Sequence, residues 1–200
     1  MADRIALLIL AAGASSRMQG RDKLLEEVDG MALLRRQTLR ALATGCSVQI
    51  ALPPAPHPRY AVLNGLDVTQ VPVADAAEGM NASLRAGLRA TPPGTAAVMV
   101  LLADMPDLTT ADLNTVLQAV DPRSDARIWR AVTQSGAAGH PTVFHADLLP
   151  ELLALRGDTG GRAVAQAYRA QTRLIPLPAE HARTDLDTPQ DWAAWRAAQG

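Results

Sequence analysis

The chain has 200 residues, 48% of them apolar, with 19 Lys+Arg against 20 Asp+Glu and a formal net charge of -1. That length fits one globular domain with a sizeable core, and the even charge balance excludes a dedicated nucleic-acid or membrane-surface binder, which would carry a field of one sign. Cys46 is the only cysteine, so disulfide frameworks and cysteine zinc sites are excluded; with no run of roughly 18 apolar residues and no secretory leader, the expected address is the cytoplasm. The basic set is lopsided: 18 Arg and one Lys, Lys23, beside 38 Ala. A bias that removed lysine elsewhere makes the surviving one a candidate for a specific task.

The first element is Ile5-Ala6-Leu7-Leu8-Ile9-Leu10, a continuous apolar run closed by Gly13 that reads as a strand covered on both faces. A helix follows Gly30 on Leu33, Leu34, Gln37, Leu39 and Leu42. Strands are expected at 47–52 and 68–73, separated by Pro53-Pro54-Ala55-Pro56-His57-Pro58, a stiff surface connection. Residues 80–90 carry Leu84 and Leu88 at helical spacing, and Val98-Met99-Val100-Leu101-Leu102-Ala103 repeats the buried-strand pattern after Pro92-Pro93-Gly94. Thr109-Thr110-Ala111-Asp112 has the form of a capping box ahead of Leu113, Val116, Leu117 and Val120. Further strands are expected at 128–132 and 173–177, further helices at 147–155 and 163–168. Thr188-Pro189-Gln190-Asp191 opens a last helix bearing Trp192 and Trp195, a core or interface stripe. This alternation predicts an α/β sandwich around a mainly parallel sheet, with ligands at the carboxyl ends of its strands.

Chemistry concentrates in a few places. After the first strand, Leu10-Ala11-Ala12-Gly13-Ala14-Ser15-Ser16-Arg17-Met18-Gln19-Gly20-Arg21-Asp22-Lys23 combines small residues that let a ligand approach the backbone with serine donors and three cations. The composition suits a polyphosphate, although neither Gly-x-x-x-x-Gly-Lys-Ser/Thr nor Gly-x-Gly-x-x-Gly is present; a solvated Gly/Ser turn is the plain alternative. Asp104, at the end of the second buried strand and before Pro106, sits where a hard cation can be held beside a phosphate; a turn aspartate is the alternative. Asp185-Leu186-Asp187 alternates so that both carboxylates face one side, and one of them could complete a cation site with Asp104, while Asp191 caps the last helix. Gly136-Ala137-Ala138-Gly139-His140-Pro141 could present His140 and backbone amides to an anion, and Gly157-Asp158-Thr159-Gly160-Gly161-Arg162 puts Arg162 at a helix start; both could equally be turns. His57 and His181 have no partners at ligand spacing and read as surface residues, and His145 has no evident role.

Together, Leu10-Ala11-Ala12-Gly13, Ser15, Arg17-Met18 and Lys23, then Leu102-Ala103-Asp104-Met105-Pro106, Gly139-His140-Pro141, Gly157-Asp158 with Gly160-Gly161-Arg162, and Asp185-Leu186-Asp187-Thr188-Pro189 with Asp191, resemble the MobA-like nucleotidyltransferases over nearly the whole chain. Within that group the chain is most similar to the molybdenum cofactor cytidylyltransferases. The resemblance implies a Rossmann-like three-layer α/β/α sandwich and transfer of a nucleoside monophosphate from an NTP to a phosphorylated acceptor, with release of pyrophosphate. It implies one domain over 1–200, the part up to about residue 110 taking NTP and Mg²⁺ and the remainder taking the acceptor.

Carried over by residue, the resemblance implies nucleotide contacts from Leu10, Ala11, Ala12, Gly13 and Ser15, with Ser83 lining the same pocket. Arg17 and Lys23 neutralise the triphosphate, Asp104 and Asp187 hold Mg²⁺, and Arg17, Lys23 and Asp104 are the catalytic set. Gly139, His140, Pro141, Gly157, Asp158 and Arg162 surround a molybdopterin acceptor. Leu-Ala-Ala-Gly where guanylyltransferase relatives show Leu-Ala-Gly-Gly favours CTP, and Gln19 replaces a glycine common among relatives. A molybdenum hydroxylase is a candidate client. Three other readings are a sugar- or alditol-phosphate nucleotidyltransferase, a non-catalytic cofactor chaperone, and a simple nucleotide-binding module; pyrophosphate release with defined acceptors separates them.

Overall fold

The computed structural model describes residues 4–158 and 160–199. In chain order its elements are β1 (Arg4–Leu10), β2 (Glu27–Val28), β3 (Met31–Ala32), α1 (Leu33–Leu42), β4 (Ser47–Leu52), α2 (Pro58–Ala61), β5 (Thr69–Pro72), α3 (Met80–Arg89), β6 (Thr95–Leu102), α4 (Thr110–Ala119), β7 (Ile128–Val132), β8 (Ala138–His145), α5 (Leu149–Ala154), α6 (Arg162–Ala167), β9 (Thr172–Pro176) and α7 (Pro189–Gln199). Seven strands form one sheet in the order β5-β4-β1-β6-β8-β7-β9. The ladders β5·β4, β4·β1, β1·β6 and β7·β9 are parallel, while β8 runs antiparallel to both β6 and β7. The expected mainly parallel, Rossmann-like sheet is what the chain forms.

The apolar runs of β1 and β6 explain why the sheet lies between two layers. Leu7 and Ile9 of β1, with Ala97, Met99 and Leu101 of β6, join one core beneath α1, α4 and α7; Leu8, Val98 and Val100 point the other way, toward α3 and α5. Period-two alternation therefore feeds two cores from uninterrupted hydrophobic sequence. On the second side Gly87 lets α3 lie directly on β1: a Cβ there would meet Leu8 Cδ1 at 2.2 Å.

The end signals act as their chemistry requires. Thr109 and Asp112 form the reciprocal capping box of α4, and Thr188 and Asp191 exchange the same pair of bonds at the start of α7. Trp192 is buried and packs edge-on against Trp195 at 6.2 Å between ring centroids, with the Arg196 guanidinium over its face.

Four expectations change. The Gly139-His140-Pro141 segment is part of β8, a strand that its glycine and proline concealed, so it is not a loop offering amides: the His140 N–H is already given to Ala182 O at 2.8 Å. Gly139 is needed because a Cβ would stand 1.9 Å from that same carbonyl oxygen. His181 is half-buried rather than a plain surface residue, its Nδ1 lying 2.9 Å from Asp112 Oδ2. The proline-rich connection is more than a surface tether, because it delivers α2 with Arg59 buried beneath it. His145 receives a role, its Nδ1 accepting the Asp147 N–H to cap a short 3-10 turn.

Candidate active site

The site is assembled where β1 and β6 end side by side. Ala11 N–H continues the β1–β4 ladder onto Ala51 O, Ala103 N–H reaches Leu10 O, and Leu186 N–H reaches Asp104 O, so three segments remote in sequence meet at the sheet's carboxyl edge. The loop after Asp104 is fixed from α1: Gln37 Nε2 donates to Met105 O, and Arg40 donates to Pro106 O and Leu108 O. Trp195 Nε1 donates to Asp107 from α7.

Here the predicted charged residues converge. The Lys23 ammonium donates to Asp104 Oδ2 and, at 2.6 Å, to Asp187 Oδ1, while Arg17 pairs with the other Asp187 oxygen at 2.7 Å. Burial alone would lower the Lys23 pKa, but the two carboxylates outweigh it and raise the ammonium above an ordinary lysine. Asp104 Oδ1 is buried and has no partner among the described residues. Asp185, on the same side as Asp187 with Leu186 buried between them, is pushed up by burial and by the charges of Asp104 and Asp187. Of the two candidates, Asp187 is the one gathered with Asp104 around a common cation.

The loop between β1 and Lys23 is held by a residue that the sequence did not advertise. Arg59, buried under α2, donates to Ala11 O at 2.7 Å, to both Asp22 oxygens at 2.8 and 2.7 Å, and to Ser15 Oγ at 3.0 Å. Ser15 Oγ also accepts the Lys23 N–H and donates to Asp22, and Asp22 accepts the Leu24 N–H. Burial raises the Asp22 carboxyl, but the Arg59 hydrogen bond and charge outweigh it and hold it below the ordinary value. The Ser15 hydroxyl is thus spent on the loop's own architecture. The loop also turns through Ser15 at φ 52° and Gln19 at φ 54°, left-handed conformations that glycine adopts more readily. The nearest sequence signal for Arg59 is its place behind a helix-initiating His57-Pro58 pair, which by itself does not say that the side chain turns inward.

Two hollows are lined by neighbouring segments, though Arg17, Lys23, Asp104 and Asp187 themselves line neither. One, about 440 Å³, is lined by Ala12, Gly13, Ala14, Gly20, Arg21, Asp22 and, across from them, Pro53, His57 and Arg59. The other, about 380 Å³, is lined by Leu10, Leu84, Val100, Phe144, Arg130, His140, Asp158 and Arg162 among others. It brings together three of the predicted acceptor residues, His140, Asp158 and Arg162; Gly139, Pro141 and Gly157 shape the backbone around it without lining it. Burial and the Arg130 charge keep the His140 ring below its ordinary pKa, against a smaller opposing pull from Asp104 across the boundary. Asp158 is partly committed, since its Oδ1 accepts the Met80 N–H at 2.7 Å, and Gly157 N–H is given to Glu78. Ser83 is buried in α3 and lines neither hollow. Among the described residues no group of three His, Cys, Asp or Glu side chains could hold a metal, and no helix is long and apolar enough to cross a membrane.

Comparison with known proteins agrees with this architecture. The chain is 29% identical over 126 residues to the purine catabolism protein PucB of Bacillus subtilis, a match spanning 62% of this chain and 59% of that protein's length. It superposes on Rv0371c from Mycobacterium tuberculosis with a TM-score of 0.85 at 27% identity, covering 97% of each chain. At 16% identity it shares the fold of a CMP:2-keto-3-deoxy-manno-octonic acid synthetase solved with CTP, with a TM-score of 0.76 over 98% of both chains. Residues 7–172 match the MobA-like NTP transferase domain, and the chain belongs to that family of nucleotidyltransferases.

Proposed function

We propose that the protein transfers CMP from CTP to the phosphate of molybdopterin or molybdenum cofactor, releasing pyrophosphate with the help of Mg²⁺. The observation that carries this reading is the meeting of Lys23, Asp104, Asp187 and Arg17 at the carboxyl ends of β1 and β6, with neighbouring residues of the same loops and strands lining two hollows of small-molecule size. Residues up to about 110 supply most of the nucleotide side, with Asp187 reaching across from the other part, which otherwise serves the acceptor.

In this reading Ala12, Gly13 and the facing Pro53 and His57 enclose the nucleoside, Ala11 acting only through the backbone bonds to Ala51 and Arg59 that fix the loop, and Arg17 and Lys23 turn to the triphosphate. The acceptor's phosphate oxygen is already anionic and needs no protein nucleophile, so the chain's work is to align it with the α-phosphorus and to offset charge on the leaving pyrophosphate. The residues fit a divalent cation: Asp104 and Asp187 already gather around one positive charge, and Asp104 Oδ1 is a buried acceptor in need of a partner. Two carboxylates with substrate phosphates are a common donor set for Mg²⁺, which when bound supplies charge neutralisation and polarises the phosphorus. Support comes from a second structure of Rv0371c, 24% identical and in complex with manganese, and from the CTP held by the synthetase of similar fold.

The test is incubation of the purified protein with each NTP in turn, Mg²⁺ and molybdenum cofactor, reading pyrophosphate and the dinucleotide product. Turnover with CTP and not GTP is expected. Pyrophosphate release with sugar or alditol phosphates but not with the cofactor would overturn the acceptor assignment.

A further inference from the structure

Arg130 is a charged residue that neither the motifs nor the nucleotide chemistry uses. It projects from β7 into the 380 Å³ hollow, and its Nε donates to Gly139 O at 3.1 Å. Its two terminal nitrogens have no partner among the described residues. Arg162 lines the same hollow and likewise has neither a hydrogen bond nor an ion pair there. Asp158, the carboxylate in the lining, is turned to Met80 N–H and lies within ion-pair distance of neither guanidinium. Two cations thus share a cavity without a counter-ion, and the electrostatic influence of Arg162 on Arg130 is unfavourable. Beside them His140 Nδ1 is buried and has no hydrogen-bond partner among the described residues. The rest of the lining, Leu10, Leu84, Val100 and Phe144, is apolar.

Like charges set together without a counter-ion, Arg130 half-buried and Arg162 exposed, are relieved when an anion joins them, and planar guanidinium forks match the oxygens of a phosphate. The cavity is the size of a small-molecule site. We propose that Arg130 and Arg162 clamp the terminal phosphate of the acceptor, a phosphate monoester whose compact, largely apolar or flat body fills the remainder of the hollow. This rests on the transferase reading above and deepens it by naming the chemical class of acceptor and the residues that select it. Two phosphate oxygens held by the arginines leave the third free to attack. That oxygen forms the new bond to the α-phosphorus of CTP, the α–β anhydride bond breaks, and pyrophosphate leaves with the electron pair; no proton has to move.

The experiment measures binding to the full chain saturated with Mg²⁺ and α,β-methylene-CTP, so that the nucleotide side is filled. The probes are 4-methylumbelliferyl phosphate, its parent alcohol 4-methylumbelliferone, and inorganic phosphate, followed by titration calorimetry. The ester is expected to bind at least about tenfold tighter than the alcohol, and Arg130→Gln and Arg162→Gln each to weaken the ester about tenfold or more. Affinity for the CTP analogue should stay within about twofold, in keeping with arginines outside the nucleotide hollow. Inorganic phosphate should bind more weakly than the ester but show the same dependence on both arginines.

The proposal is overturned if the wild type does not bind the ester, if the alcohol binds as well, if both variants retain ester affinity, or if they lose the CTP analogue in parallel. Failure to convert molybdenum cofactor together with the expected probe pattern removes that acceptor and leaves the clamp standing. Conversion of the cofactor with an unchanged acceptor KM in both variants does the reverse.

Discussion

The two sides of the charged cluster are built on opposite principles. On the nucleotide side every strong charge already has a protein partner: Arg59 holds Asp22, Lys23 holds Asp104 and Asp187, and Arg17 holds Asp187. On the proposed acceptor side Arg130 and Arg162 have no carboxylate within ion-pair distance among the described residues, and the segment around them is tied back by the Gly157 N–H given to Glu78, just ahead of α3, and by the Met80 N–H at the start of α3 given to Asp158. A self-satisfied loop keeps its shape before the ligand arrives. An unsatisfied hollow relies on the ligand to complete it, so the first region spends its polar groups on preorganisation and the second on selection.

The largest effects should come where both sides meet. Asp104→Ala is expected to reduce nucleotidyl transfer by about 10²- to 10³-fold or more while circular dichroism and Tm show an intact fold, because it removes the proposed metal donor and one of two carboxylates holding Lys23. Wild-type-like turnover would dissolve the cluster as a catalytic unit. Lys23→Arg restores the chain's preferred cation and should still lose most of the activity, since a planar fork cannot replace a compact ammonium seated between two carboxylates; near-normal turnover would reduce the lone lysine to a compositional remnant.

Next in size is the difference between the two sides themselves. Arg59→Ala breaks a buried bidentate pair and leaves Asp22 facing a vacated site, a loss of about 3 kcal/mol in denaturant unfolding, accompanied by a raised KM for CTP. His140→Ala should raise the acceptor KM with little change in that for CTP, because the ring lines the other hollow. If the two variants moved both constants alike, the division into a preformed and a ligand-completed side would fail.

A smaller effect depends on pH. The Asp22 carboxyl is held below its ordinary value in the folded chain, so its contribution to stability is complete above that ordinary value, near 4 for aspartate, and is lost as pH falls through the lower folded value. Asp22→Asn should therefore flatten the acid limb of a stability profile; an unchanged limb would show that the Arg59 pair is not its source. Smallest of all, Gln19→Gly relieves a left-handed residue at the cost of a freer unfolded chain, and the two nearly cancel, giving a change of under about 1 kcal/mol in Tm-derived stability.

What the sequence made legible follows the same division. The buried runs of β1 and β6, the capping box of α4 and the convergence of Arg17, Lys23, Asp104 and Asp187 could be read from pattern and resemblance, because local periodicity and dense motifs carry them. Arg59, Arg130 and the strand character of β8 could not. Each depends on a contact between remote segments: Arg59 with Ala11 and Asp22, Arg130 with Gly139, and β8 with a reversed pairing to β6 that Gly139 and Pro141 argue against locally. The two glycine motifs were ambiguous between turns and ligand loops for a related reason, since Gly139 serves the close approach of Ala182 and Gly157 positions its amide on Glu78.

The seat of Lys23 carries a further consequence for how the nucleotide is taken up. Lys23 and Arg17 already balance Asp104 and Asp187, so those four paired groups offer little net attraction to a free triphosphate. In the proposed reading a metal–nucleotide complex would present both signs at once: Asp104 and Asp187 would hold the metal, and Lys23 and Arg17 would be free to face phosphate. Because such charges would change partners rather than start unpaired, uptake of the complex should depend only weakly on ionic strength, in contrast to the proposed acceptor side, where an anion would meet two unpaired cations.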